Sequence, residues 1–231
     1  MQHYTHEAKI RRYATLGLVA MIAGMASMLV AIYLAVKQQQ EQLPLVMATS
    51  FGGVIVSQIG VYLRNRWGRH PRRDEILNDA LKGLDQRYSI FHYTLRASHA
   101  LIAPSGVYAV CISDIEGEIS YRQGKWRQVR PRRRGTKEQQ LSEPTRQTQS
   151  EVSLLRRALR RRLKREDLAQ LPIEPILVLI HPNAQVETEK PPFAAIHIKK
   201  LKGFLRSLPK GQTLTAQEVD ALARGLGFSP E

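Results

Sequence analysis

The chain has one cysteine in 231 residues. That excludes an internal disulfide, a cysteine-rich zinc site and a Cys-x-x-Cys redox pair. No glycine pattern of the Gly-x-Gly-x-x-Gly or Gly-x4-Gly-Lys-Ser/Thr type offers a phosphate cradle. The seven histidines show no HExxH or related metal spacing. No motif calls for a cofactor or a metal ion. Acidic residues are also scarce: from Gln86 through Ser113 there is no Asp or Glu. Lys and Arg outnumber Asp and Glu by 35 to 20, giving a net charge of +15.

Charge of either sign is missing from two long runs. Tyr13–Val36 spans 24 uncharged residues, and Gln42–Leu63 spans 22. About 20 apolar residues in a helix cross a hydrocarbon core of about 30 Å, so each run is long enough to span. The first is too long for a signal-peptide core and lacks an Ala-x-Ala cleavage site. The chain therefore divides into an N-terminal segment (1–12), a first span (13–36), a turn (37–41), a second span (42–63), a basic linker (64–73) and a soluble domain (74–231).

Lys9, Arg11 and Arg12 precede the first span, and Arg64, Arg66, Arg69, Arg72 and Arg73 follow the second, whereas the turn holds only Lys37. Basic residues stay on the cytoplasmic side, so an integral membrane protein with both termini cytoplasmic is expected. Tyr13, Tyr33, Tyr62 and Trp67 sit near the span ends, where amphipathic rings settle. Small residues four apart are expected to bring the helices together: Ala20 with Gly24, Ala48 with Gly52, Gly53 with Ser57. Neither span holds an ionisable residue, which favours an anchor over an ion or proton path.

The soluble domain reads as mixed α/β. Ile76, Leu77, Ala80, Leu81 and Leu84 mark a helix over 74–87. Strands are expected at 88–95, 99–103 and 107–112, then a hairpin of 115–120 with 125–129 around Gln123 and Gly124. Residues 131–148 are polar without apolar period and read as a mobile loop. A basic amphipathic helix over 149–165, a buried strand at 173–180, a short strand at 194–198 and two closing helices follow. Thr213 or Thr215 caps the last helix, and Thr215 with Glu218 fits a capping box.

The run Ser98-His99-Ala100-Leu101-Ile102-Ala103-Pro104-Ser105-Gly106-Val107-Tyr108-Ala109-Val110 resembles the nuclease-related domain (NERD) family, and Glu75 resembles its helix-borne glutamate. The resemblance spans about half the chain. It implies a restriction-endonuclease-like fold with core order α-β-β-β-α-β. Such nucleases hold a divalent metal between carboxylates on adjacent strands, with a lysine two residues on. The resemblance places Ser98 at the aspartate position, Cys111 at the glutamate position and Ser113 at the lysine position. The apolar frame persists where the chemical groups do not. Glu75 with Asp114 is the one alternative carboxylate pair.

Two basic clusters stand out. Arg122, Lys125, Arg127, Arg130, Arg132, Arg133, Arg134 and Lys137 form the first, with Trp126 interleaved. Arg156, Arg157, Arg160, Arg161, Lys164 and Arg165 form the second. Such clusters bind nucleic acid by releasing counterions from phosphates, or anionic lipid headgroups beside a bilayer. The expected protein is a membrane-anchored, catalytically inactive binding or scaffold module whose partners are the lipid bilayer and a polyanion. A metal-dependent nuclease with relocated carboxylates, or a structural subunit recruiting a protein partner, are the alternatives. Oligomeric state is left open.

Overall fold

Glycine decides how the two long apolar helices meet. The computed structural model describes residues 1–37, 43–132, 135–141, 143–163, 171–189 and 191–228. Its first two helices are α1 (Glu7–Val36) and α2 (Leu43–Trp67), and both are long and apolar enough to cross a membrane. Gly17, Gly24 and Ala31 of α1 are buried, as are Gly53 and Gly60 of α2. A Cβ on Gly24 would lie 2.6 Å from the Gly53 carbonyl oxygen, and one on Gly53 would lie 2.9 Å from that of Gly24. The contact line therefore repeats every seven residues rather than every four. Gly52 meets nothing within 4 Å. The spacing of four found Gly24 and Gly53 but missed their partners, because an antiparallel pair held over five turns keeps a coiled-coil seam. The outward surface is apolar, with Leu29 and Phe51 about two-thirds exposed. At the open end of this hairpin Tyr13 stacks on Trp67 at 5.3 Å, and Arg72 pairs with Glu7 at 3.0 Å.

His6–Arg72 form one compact unit; Met1–Thr5 with Arg73–Glu231 form the other. The second unit is mixed α/β. Its elements are β1 (Gln2–Thr5), α3 (Arg73–Leu81), β2 (Ser89–His92), β3 (His99–Ala103), β4 (Gly106–Ser113), β5 (Glu118–Arg122), β6 (Lys125–Arg132), β7 (Gly135–Leu141), α4 (Glu143–Arg162), β8 (Ile173–Leu179), β9 (Gln185–Thr188), β10 (Ala194–His197), α5 (Ile198–Ser207) and α6 (Ala216–Gly225). One sheet runs β1-β2-β3-β4-β8-β10, and the other β7-β6-β5-β9. In the first, β2, β3 and β4 form an antiparallel meander. The chain then crosses through α4 to lay β8 parallel to β4, Cys111 opposite Leu177.

The period of two sorts side chains to the two sheet faces. Phe91, Ile102 and Ala109 pack with Leu155 and Leu159 of α4 and Leu222 of α6. Ile90, Leu101 and Val110 pack with Leu77 and Leu81 of α3 and Leu201 of α5. A third core joins Cys111, Leu177 and Leu179 to Ile119 and Trp126 of the small sheet. The β5–β6 turn holds Gln123 and Gly124 at φ of 52° and 76°, the left-handed pair that a two-residue hairpin needs. Thr215 caps α6 in a full capping box with Glu218.

Several expectations need correction. The helix expected over 74–87 ends at Leu81, and the strand expected over 88–95 ends at His92, where Tyr93 turns to a φ of 60°. Residues 131–148 are not a loop: β6 runs to Arg132, β7 covers Gly135–Leu141 and α4 already starts at Glu143. All of β7 except Leu141 is exposed, so no apolar period betrays it. The basic helix ends at Arg162, not at residue 165. Finally, Gln2–Thr5 pairs in parallel with β2, so the α/β unit takes in a strand from before the helical hairpin. Four residues are too few for periodicity to reveal.

Candidate functional site

Ser98 immediately precedes β3, and its polar groups turn toward α4. The Glu151 carboxylate accepts the Ser98 backbone N–H at 2.6 Å and its hydroxyl at 2.8 Å. Glu151 comes from the third turn of α4, one turn before the fully buried Leu155. A shallow depression lined by Arg146, Gln147 and Ser150 opens beside it. Sequence reasoning missed Glu151. Extending the α4 apolar stripe of Val152, Leu155 and Leu159 back by one turn would have placed it on the buried face.

Cys111 is 1% exposed in the middle of β4. Burial pushes its thiol up to about 12, and the negative charge of Glu151 adds to the effect. A thiol held neutral is no nucleophile and no ligand for a hard cation. Ser113 ends β4, half-buried and paired in register with Leu179. Asp114 lies just past the strand and is exposed.

Glu75 stands in the first turn of α3, which covers the other face of the sheet. One turn on, Asn78 bonds His92 Nε2 at 2.9 Å and His3 Nδ1 at 2.9 Å. His92 and His99 face each other across β2 and β3 with Nδ1 atoms 2.7 Å apart. The polar residues thus divide between two faces: Glu75, Asn78 and the histidine pair on the α3 side, Ser98 and Glu151 on the α4 side. Among the described residues no group of three or more His, Cys, Asp or Glu side chains is arranged to hold a metal ion. A cleft of about 590 Å³ opens at the far end of β3, floored by Ile102, Pro104, Leu214 and Val219. The family's catalytic positions and this cleft therefore sit at opposite ends of one strand.

The basic residues do not form one surface. On β5 and β6, exposed Arg122 and Lys125 share a face with half-buried Arg127, whereas Arg130 is exposed on the face of Trp126 and Gln128, beyond the part that the core covers. Arg127 pairs with Glu138 at 2.7 Å and Arg122 with Glu187 at 3.5 Å. Arg130 stands directly across from Lys137, a like-charge pair that is destabilising in this register. Trp126 does not belong to this surface. It is 2% exposed, stacked on Phe193 at 5.1 Å, because the strand alternation turns it inward while Lys125 and Arg127 turn out. On α4, Arg157, Arg160 and Arg161 are exposed opposite the buried Leu155 and Leu159, and Arg156 is half-buried. The Arg132 side chain and residues Arg133, Arg134, Lys164 and Arg165 lie outside the described residues.

Residues 72–180 match the family model described as NERD, nuclease-related domain. This segment is a nuclease-related domain. It runs from the start of α3 to the end of β8, so its core is α3-β2-β3-β4-α4-β8, with β5, β6 and β7 inserted before α4. NERD implies a restriction-endonuclease-like fold, and the order α-β-β-β-α-β agrees with it. The helical hairpin, β1, β9, β10, α5 and α6 lie outside the matched segment. No curated protein and no solved structure matches the chain.

Proposed function

We propose that the chain is a membrane-anchored nuclease-related domain that has lost metal-dependent cleavage and holds a polyanion on its basic cytoplasmic surface. One observation carries the loss of chemistry. At the three positions where the family places its aspartate, glutamate and lysine, this chain has Ser98, Cys111 and Ser113. Ser98 is engaged by Glu151, and Cys111 is sealed in the core. Hard divalent cations need carboxylate oxygens, and the central strands offer none. The relocated pair Glu75 and Asp114 is disfavoured, since among the described residues it belongs to no group of three or more His, Cys, Asp or Glu side chains placed to hold a metal ion.

Anchoring is supported by the two long apolar helices and their outward apolar faces. Same-side ends are supported by β1. It precedes α1 by one residue, yet it joins the sheet built from the chain that follows α2. A strand that pairs with β2 must share its compartment. The basic residues flanking both helices favour the cytoplasm. Polyanion binding is supported by the exposed arginines of α4 and by the Arg130–Lys137 confrontation.

The test uses the full chain in nanodiscs of neutral lipid. It is titrated with labelled duplex DNA across a salt series with magnesium present, and DNA length is checked afterwards. Intact DNA and an affinity falling steeply with salt are expected, since each neutralised phosphate adds about −0.9 to the log–log slope. Cut DNA would return the domain to the active nucleases. Absence of DNA binding, with salt-sensitive binding to vesicles containing phosphatidylserine, would move the ligand to lipid headgroups.

A further inference from the structure

One strongly polar side chain lies inside the described parts of the two apolar runs. Across Tyr13–Val36 and Leu43–Leu63 the single amide side chain is Gln58. It is exposed, on the face of α2 that turns away from Gly53 and Gly60, where α1 packs. Among the described residues nothing hydrogen-bonds its amide. Phe51, Val54, Ile55 and Tyr62 lie within about 60° of it around the helix and are exposed too. Gln58 is six residues before Arg64, which is about 9 Å along the axis. Helix side chains lean toward their own N-terminus, so the amide tilts away from Arg64 and deeper into the apolar zone. A glutamine is too short to reach back to the headgroups.

We propose that two copies of this chain pair along the outer face of α2, each Gln58 amide donating to the other's carbonyl oxygen. The inference rests on the membrane reading, because in water an exposed glutamine needs no partner. In hydrocarbon the alternative is an unmade hydrogen bond on both groups. A second copy is the occupant that the chemistry selects. An amide carries both a donor and an acceptor, so it is complementary to itself about a two-fold axis. Two copies inserted with the same topology present Gln58 at the same depth. The surrounding Phe51, Val54 and Ile55 are apolar and the Tyr62 hydroxyl already accepts from Arg66, so the amide is the directional contact that fixes the register.

The test uses full-length chain labelled with a donor or an acceptor fluorophore, in neutral-lipid vesicles, with energy transfer followed as lipid dilutes protein. Alkaline carbonate extraction of the same vesicles comes first. Wild type should remain in the membrane fraction and pair. Gln58→Leu should stay in the membrane but weaken pairing by about five- to thirty-fold. Gln58→Asn, which keeps the amide, should recover most of it. If wild type is retained by the membrane but stays monomeric, or if Gln58→Leu pairs like wild type, the pairing proposal is overturned and the anchor stands. If carbonate releases the chain, the membrane reading fails and the pairing fails with it.

Discussion

The Glu151 carboxylate takes both hydrogen bonds that Ser98 can give, from the backbone N–H at 2.6 Å and from the hydroxyl at 2.8 Å. A helix carboxylate thus occupies the space beside the strand position where the family's aspartate would stand. Glu151→Ala should cost about 1.5–3 kcal/mol, because it strands a half-buried N–H and removes two charge-assisted bonds. Glu151→Gln should cost less, since its carbonyl still accepts one of them. Urea unfolding of the two variants checks the order. Equal stability of both with wild type would mean that the contact contributes nothing.

Restoring the family's aspartate should backfire while Glu151 remains. Ser98→Asp puts two carboxylates within hydrogen-bond distance, and like charges that close cannot both ionise without penalty. At least one of the pair then titrates above its unfolded value. The resulting destabilisation should be full at pH 7 and fade as pH falls through that raised value, where a shared proton joins the pair. Ser98→Asp combined with Glu151→Ala should recover stability at pH 7. A pH series of melting temperatures distinguishes the three variants.

Cys111 should be inert in the folded protein. With its thiol pushed up to about 12, the thiolate fraction at pH 8 is lower by about three orders of magnitude than that of a free cysteine near 8.5. Alkylation by iodoacetamide should therefore be negligible until denaturant is added, then run at the rate of a model thiol. Mass spectrometry with and without denaturant reads this directly. Rapid labelling of native protein would show the β4 core to be open.

Trp126 should matter for stability and not for ligand contact. Its ring fills the core between the two sheets, against Phe193 and Tyr121. Trp126→Ala should cost about 3–5 kcal/mol, the usual loss for truncating a buried aromatic. Trp126→Phe keeps an aromatic ring in that core and should bind polyanion like wild type. Arg130→Ala with Lys137→Ala should weaken that binding and flatten its salt slope by about 2. Salt-series titrations of the two variants separate the roles.

How much of this was legible in the sequence depends on which period carried the signal. The apolar runs at 13–36 and 42–63, the β3–β4 turn at Pro104–Gly106 and the Thr215–Glu218 box were readable, because each rests on a local pattern with one physical solution. β7 was not, since an exposed edge strand has no buried face to leave an apolar alternation. β1 was not, since its pairing with β2 joins residues 87 apart, Gln2 to Ser89. Glu151 escaped for a related reason. Its role depends on Ser98 arriving from 53 residues away, and no local pattern encodes that meeting.

The helical hairpin makes the sharpest demand on side-chain size. A Cβ on Gly24 would sit 2.5 Å from the Ser57 backbone nitrogen and 2.6 Å from the Gly53 carbonyl oxygen. Both neighbours are backbone, so neither can swing aside. Gly24→Leu must therefore push the helices apart, toward the 8–10 Å axial separation at which ordinary side chains interdigitate. Ser27 would then lose its 2.9 Å bond to the Thr49 carbonyl, leaving a hydroxyl unpaired. Gly52→Leu is the contrasting change, since that position meets nothing within 4 Å. Spin labels at the exposed positions Leu29 and Phe51 report the separation by pulsed resonance. Gly24→Leu should lengthen the distance by about 2–3 Å, the difference between glycine-lined and ordinary helix contacts. Gly52→Leu should leave it unchanged. Matching distances in the two variants would show that the seven-residue glycine seam does not hold the helices together.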